Sequence, residues 1–436
     1  MITIMKKLLF LSAVSVALIA SACSSIGPGP VLVTGITVSP PTLTLTVGGA
    51  SATVAANVTP GGATNKNVTW SASPSGIVSV SAAGVVTPLA AGSAVIRATA
   101  QDGSGVMGTC SVVVNPVILP PDGSSERPFL VSDEATLRKV GSNVDGWGLD
   151  KHYQQTANIT LSATWTRIGD NISRFQGTYD GGGYSINNLT IPSTTDSYQG
   201  MFGDIGTLGV VRNVALINIS CTYSQGRGGG IAGQNEGLIE NCYVTGAIGG
   251  TGYIFGGIAG VNMSGSIKNC YTTCNVTSSG SLQSGIVGDN SGRIEYCYAT
   301  GTISGSFRNG GIVGLNEASG TVYHCVALNT EVSSTIPAAD VGRVVGLNDG
   351  GNLDDNFARN DMSLYRGGVH FSPSPLTLTS IHGEDALAPR THGFSSGGWW
   401  PAFGYTTPSW NCADGRLPWL QTTTGVLFVG QDPQVL

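Results

Sequence analysis

The sequence predicts an all-β protein: a small antiparallel β-sandwich followed by a parallel β-solenoid of ~26–28-residue coils. Three observations predict it. Glycine supplies 64 of 436 residues and charged residues only 11%, while hydrophobic residues hold at 41%. Usual shares of glycine and charge are about 7% and 25%, and the surplus here lies in residues of turns and strands. Period-two alternation recurs in short runs through the first hundred residues, and a glycine-bounded unit recurs through the middle of the chain. A helical bundle and a coiled coil are excluded on these grounds. A net charge of -6 and a pI near 5.3 argue against a nucleic-acid partner.

Taken in order, residues 1–22 read as a signal peptide. Lys6 and Lys7 form a basic start, and Leu8 to Ala20 form an apolar stretch of 13 residues, too short to span a bilayer. Ala20-Ser21-Ala22 then leads to Cys23. This order resembles the lipobox of bacterial lipoproteins, although Ala20 stands where a large aliphatic residue is usual. The resemblance implies lipidation of Cys23 and a place in the envelope, at the outer membrane or cell surface. An ordinary secretory cut after Ala22 is the alternative. Either route exports the chain and takes its formal charge from -6 to -8 by removing Lys6 and Lys7. No later stretch reaches 18 uninterrupted apolar residues, so the membrane is expected to be met through the lipid alone. Residues 23–30 form a tether.

Residues 31–115 carry the sandwich. Thr42-Leu43-Thr44-Leu45-Thr46-Val47 puts Leu43, Leu45 and Val47 on one face, and Gly48-Gly49 ends the run. Strand patterns follow at Val68-Thr69-Trp70, Ile77 to Val80, Val85-Val86 and Ala94 to Thr99, with Trp70 as the expected core aromatic. Gly35-Ile36-Thr37-Val38-Ser39-Pro40, Val68-Thr69-Trp70-Ser71, Gly84-Val85-Val86-Thr87 and Ala91-Gly92-Ser93-Ala94-Val95-Ile96 resemble the bacterial immunoglobulin-like domain, group 2, of the invasin and intimin type. That resemblance implies a surface spacer or adhesive module. Residues 116–124, with Pro116, Pro120 and Pro121, read as a linker.

Residues 199–350 repeat. Gly230-Ile231-Ala232-Gly233, Gly257-Ile258-Ala259-Gly260, Gly285-Ile286-Val287-Gly288 and Gly311-Ile312-Val313-Gly314 start 27, 28 and 26 residues apart. A weaker copy precedes them at Gly200-Met201-Phe202-Gly203, and a degenerate one follows near Val344-Val345-Gly346. Each strong copy leads to an asparagine (Asn235, Asn262, Asn290, Asn316) and then to a strand with a central cysteine (Cys242, Cys270, Cys297, Cys325). Such a period, without helical patterning, fits coils of about three short strands stacked ~4.8 Å apart. One coil cannot bury its apolar face alone, so the array needs several coils and two caps. The repeats resemble the GLUG motif of bacterial surface proteins, with Ile in place of Leu. That resemblance implies extracellular display and no single defined activity. Residues 125–198 are the expected N-terminal cap and entry coils, with a helix from Asp133 to Val140 capped by Ser132. Residues 351–436, with Trp399, Trp400, Trp410 and Trp419, are the expected C-terminal cap.

The candidate chemistry is sparse. Export permits disulfides, yet Cys221, Cys242, Cys270, Cys297 and Cys325 follow the repeat and are expected as a structural ladder of buried thiols. Cys110, Cys274 and Cys412 remain open to pairing; Cys274 takes the position of Gly246 and Gly301. Tyr243, Tyr271 and Tyr298 share one repeat position. Facing outward they would form a ligand stripe for sugar rings; packed under a loop they would be core. Gly228 to Gly233 matches GxGxxG by composition only, since a turn and not a helix follows. No HExxH, GxSxG or P-loop is present, and no catalytic residue, metal site or cofactor is assigned. His370, His382 and His392 near Glu384 and Asp385 read as loop residues. Asp180, Asp204, Glu240 and Glu295 are acids that stacking could bring together. The expected function is adhesion or binding of an extracellular glycan or protein ligand. A β-helical polysaccharide-processing enzyme and a purely structural spacer are the alternatives.

Overall fold

The computed structural model describes residues 29–192, 196–386, 399–406, 409–412 and 417–421. The signal peptide, Cys23 and most of the tether lie outside the described residues. The chain divides into two compact units between Leu119 and Pro120.

The first unit is the expected sandwich. Gly92–Ala100 and Met107–Asn115 pair antiparallel and alternate between buried and exposed residues, so one face of each closes the core. Val86, Ile96 and Cys110 are wholly buried at its centre. Leu43, Leu45 and Val47 share one face and pack against this core. Trp70 departs from expectation: it is only partly buried at the edge of the core, which small β-branched side chains fill without it.

The second unit is nearly all β, a parallel solenoid of about nine turns about 28 residues apart. Each complete coil carries four strands, not three. In one coil they are Arg227–Gly229, Ala232–Asn235, Leu238–Glu240 and Tyr243–Gly250; we number the stacked sheets they join I to IV. The fourth strand was hidden in the sequence because the cysteine-centred run is two strands meeting at a corner. Asn241, Asn269, Tyr296, His324 and Asp355 turn that corner with φ between 49° and 53°, a left-handed conformation that Asn, Asp and His adopt more readily than Tyr.

Three inward columns fill the coil. They are Ile231 to Val344 at the repeat motif, Ile239-Ile267-Ile294-Val322-Leu353 in sheet III, and Ile248-Val276-Ile303-Val332-Leu364 in sheet IV. The glycines of the motif have a separate cause. A Cβ on Gly257 would sit 2.1 Å from the Gly285 carbonyl oxygen, and one on Gly260 2.7 Å from the Gly228 nitrogen. The first glycine clears the next coil and the last clears the previous one. The asparagines form a ladder: each Nδ2 donates to the Oδ1 of the next through Asn235, Asn262, Asn290, Asn316 and Asn348, at 2.8–2.9 Å. The first four are wholly buried, so each amide satisfies its neighbour where water cannot.

The ends differ from expectation in detail. The helix is Glu134–Lys139, and Asp133 rather than Ser132 caps it by accepting from the Thr136 amide at 2.8 Å. Its Leu137 is wholly buried, closing the first coils. The linker is shorter than 116–124, because the Gly123 carbonyl already accepts from His152 of the first coils. Residues 351–386 are not a cap throughout. Asn352–Asp354, Phe357–Arg359 and Ser363–Arg366 continue the stack in register. Arg343 stands in the last copy of the motif where glycine stood before, because no further coil of the motif lies above it. It is 1% exposed and donates to the carbonyls of Arg359, His382 and Gly383 and to Asp385 Oδ1 at 2.7 Å. The end of the stack is thus plugged by residues 381–385.

Candidate functional surface

Tyr243, Tyr271 and Tyr298 do share one outward column of sheet IV. Their rings stack at 4.9 and 4.8 Å, within 5° of parallel. They are not a ligand stripe. All three are buried, at 0%, 5% and 2% exposure, beneath the C-terminal segment that carries Trp400, Tyr405, Trp410, Leu417 and Leu420. A column of aromatic area on the outside of a sheet gains from being covered, and the tryptophan-rich tail covers it. This corrects the expected place of that tail: it lies along the side of the coils, not across their end. Tyr298 donates to the Pro418 carbonyl at 2.7 Å and Tyr405 to the Cys297 carbonyl at 3.0 Å. The corner column anchors it too. Asn269 Oδ1 accepts from Trp410 Nε1 at 2.9 Å, and His324 Nδ1 lies 2.9 Å from the Phe403 carbonyl.

Cys242, Cys270, Cys297 and Cys325 form a buried ladder at that corner, each with its Sγ 3.2–3.3 Å from the carbonyl two residues before. Cys221 is buried but belongs to another column. Its 21-residue offset carries it past the corner, where it pairs with Ile191 and Ile248 in sheet IV. Cys274 replaces glycine in register with Gly246 and is also buried. All eight cysteines from Cys110 to Cys412 are free thiols. Burial pushes Cys221 up to about 11 and Cys274 and Cys412 up to about 12, and holds Cys242 and Cys297 well above the usual thiol range. Because seven of the eight are buried, alkylation should label few of them in the native chain and all eight after denaturation. Intact mass under denaturing, non-reducing conditions checks this; fewer than eight labels would mean disulfides. Cys270→Ser should cost on the order of 1–2 kcal/mol, read from denaturant midpoints.

The acids resolve into ion pairs. Asp180, Arg212, Glu240, Lys268 and Glu295 occupy one column of sheet III, so charge alternates from coil to coil. Arg212 meets Asp180 at 2.9 Å, Lys268 meets Glu240 at 3.0 Å, and Arg293 meets Glu295 at 2.7 Å. Neighbouring acids in this column lie two coils apart, roughly 10 Å, with a cation between them. Asp204 sits elsewhere, wholly buried in sheet II. Arg174 and Gln234 bridge it to Glu236: Arg174 Nε is 3.2 Å from Asp204 Oδ2 and Nη1 is 2.8 Å from Glu236 Oε2. Burial raises the Asp204 carboxyl to about 6 against the pull of Arg174. Ionising it therefore opposes folding. Its favourable share of stability is complete below about pH 4 and is lost as pH rises through about 6, up to about 3 kcal/mol. Asp204→Asn should flatten stability between pH 4 and pH 6.5; an unchanged slope in urea titrations across that range would refute the assignment.

The histidines do not converge among the described residues. His382 is buried, with its pKa lowered to about 4 by burial and then by Arg343, whereas His370 is exposed on a hairpin; His392 lies outside the described residues. No group of three His, Cys, Asp or Glu side chains able to hold a metal occurs among the described residues. Gly228 to Gly233 of the GxGxxG match are ladder glycines and core residues, and a strand follows. Among the described residues no helix is long and apolar enough to cross a membrane.

Comparison with known proteins agrees with this architecture. Residues 32–110 match the bacterial Ig-like domain (group 2), and residues 224–249 match the GLUG motif. A protein of Evansella cellulosilytica provisionally named a Gly-rich membrane protein is 35% identical over 132 residues, which is 28% of this chain and 15% of that protein. Halomucin of Haloquadratum walsbyi is 32% identical over 178 residues, 38% of this chain and 2% of its own length. The chain thus spans a small part of the curated relatives it matches. A crystal structure from Bacteroides ovatus, provisionally called an immunoglobulin A1 protease, superposes with a TM-score of 0.57 over 72% of this chain and 95% of that one, at 23% identity. That likeness shows the fold. Together the matches agree with a group 2 Ig-like module followed by GLUG-type solenoid coils.

Proposed function

We propose that this chain is a surface-displayed adhesion or ligand-binding module for an extracellular glycan or protein, not a catalyst. One observation carries the reading. Asp180, Glu240 and Glu295 are tied into an alternating charge column, while the far half of sheet IV keeps an uncovered outer face of serine, threonine and asparagine. Regular polar columns on a rigid stack suit recognition of an extended partner. The test applies the exported full chain to arrays of glycans and envelope proteins while monitoring release of reducing ends. Retention without release supports the proposal. Release would make the chain a polysaccharide-processing enzyme, and silence on both arrays would leave a spacer.

Anchoring through a lipid on Cys23 completes the proposal, motivated by the basic, apolar and small-residue order before it. Cys23→Ala should leave the membrane fraction or stay unprocessed. Unchanged detergent-phase partitioning of that variant would exclude the anchor.

A further inference from the structure

Beyond the corner at Gly246, Cys274 and Gly301, the outer face of sheet IV is built of short polar side chains in register. Thr222, Gly249, Thr277, Ser304 and Ser333 form one column, and it ends at Tyr365. At ~4.8 Å per coil the column is a track of about 24 Å, the length of an extended polymer rather than of a single sugar. At its downstream end, beside the hairpin of Ser363–Arg366 and Val369–His370, lies a cavity of about 320 Å³. Ser304, Glu331, Ser333, Thr335 and Tyr365 line it.

The lining has a definite chemistry. Glu331 is half-buried, and its carboxylate has no hydrogen-bond or ion-pair partner among the described residues, unlike Asp180, Glu240 and Glu295. The hydroxyls of Ser304 and Tyr365 are likewise without a hydrogen-bond partner among the described residues. A polar pocket that keeps a carboxylate without a cation retains acceptor capacity for donors from outside. Vicinal hydroxyls of a sugar are such donors, and the half-buried Tyr365 ring, in edge-to-face contact with His370 of the hairpin, adds aromatic area for the apolar side of a pyranose. No lysine or arginine lines the cavity, so a uronate would meet repulsion from Glu331.

We infer that this cavity and the column leading to it form a binding site for a neutral polysaccharide chain, seated on Tyr365 and hydrogen-bonded to Glu331. The inference rests on the surface-binding role proposed above and gives that role an address and a ligand class. The volume is at the small end of the ~300–1,000 Å³ typical of ligand cavities, room for one ring while the rest of the chain lies along the column.

The experiment is calorimetric titration of the full chain with hexasaccharides of β-1,4-glucan, β-1,4-xylan, β-1,4-mannan and β-1,3-glucan, and with hexagalacturonan as the acidic counterpart. At least one neutral hexasaccharide should bind, and hexagalacturonan should not. Glu331→Gln and Tyr365→Ala should each weaken binding about tenfold or more, with thermal midpoints unchanged, while Leu208→Ser at a distant exposed position should not. Hydrogen exchange should slow on binding at 302–306, 331–335 and 363–366. Binding that both variants retain would overturn the site and leave the surface-binding role standing. Equal or tighter binding of hexagalacturonan would overturn the neutral class. Failure of every hexasaccharide to bind would overturn the inference, with the protein array then deciding the broader role.

Discussion

Gly257→Val should destabilise the solenoid on the order of 4 kcal/mol or more, beyond the ~1–3 kcal/mol of ordinary overpacking. A Cβ at Gly257 would meet the Gly285 carbonyl oxygen at 2.1 Å and Thr272 Oγ1 and Cγ2 at 2.7 and 2.8 Å. The first of these is backbone of the next coil. Its position is set by the Gly257 amide, which donates to that same carbonyl at 2.9 Å. Relief requires two coils to separate, and ~4.8 Å stacking leaves no slack for that. Gly249→Ala is the matched control. Its Cβ would meet only the Thr277 carbonyl oxygen, at 3.2 Å, and the substitution should cost under about 1 kcal/mol. Urea midpoints with an unchanged slope measure both. A Gly257→Val chain within about 1 kcal/mol of the parent would show that glycine is not required there.

The same contacts explain which features the sequence made legible. Gly257, Asn262 and Cys270 recur at one period because each touches its own counterpart one coil away, so a single ladder imposes one residue type at each step. Where the neighbour changes, the signal vanishes. Arg343 replaces glycine because no further coil of the motif stacks above it, and Asn356 replaces the cysteine after Cys325, so the last coil looked like irregular chain. Tyr296 and His324 turn the left-handed corner usually given to Asn, which hid a strand boundary inside an apparently continuous run. The alternating column of Asp180, Arg212, Glu240, Lys268 and Glu295 was written in the sequence, but only the register shows that the five share a face. The burial of Tyr243, Tyr271 and Tyr298 could not be read from their spacing. A ring on the outer face of a sheet is exposed or covered according to a segment more than a hundred residues away, and period carries no information about that. Glu331 gave no signal at all: its interest comes from a cavity formed with Tyr365 of the following coil.

Trp410→Ala should cost about 3–5 kcal/mol and uncover the tyrosine column. Trp410 is 1% exposed, with its ring centroid 5.8 Å from Tyr298, 6.3 Å from Tyr271 and 4.9 Å from Tyr405. Its indole nitrogen donates to Asn269 Oδ1 at 2.9 Å, so truncation removes aromatic packing and leaves an acceptor short of its donor. Trp410→Phe separates the two losses: it keeps most of the packing and should cost roughly 1–2 kcal/mol. Uncovering has its own readout. Tyr271 and Tyr298 are closed to solvent in the parent chain, so tetranitromethane should modify them slowly there and readily in Trp410→Ala, with peptide mass mapping to locate the sites. A Trp410→Ala chain of parental stability whose Tyr271 and Tyr298 stay protected would mean that the tail does not hold the column shut. Parental chain nitrated quickly at both positions would mean that the column is open in solution, and the outward ligand stripe would then return as the better account of these three tyrosines.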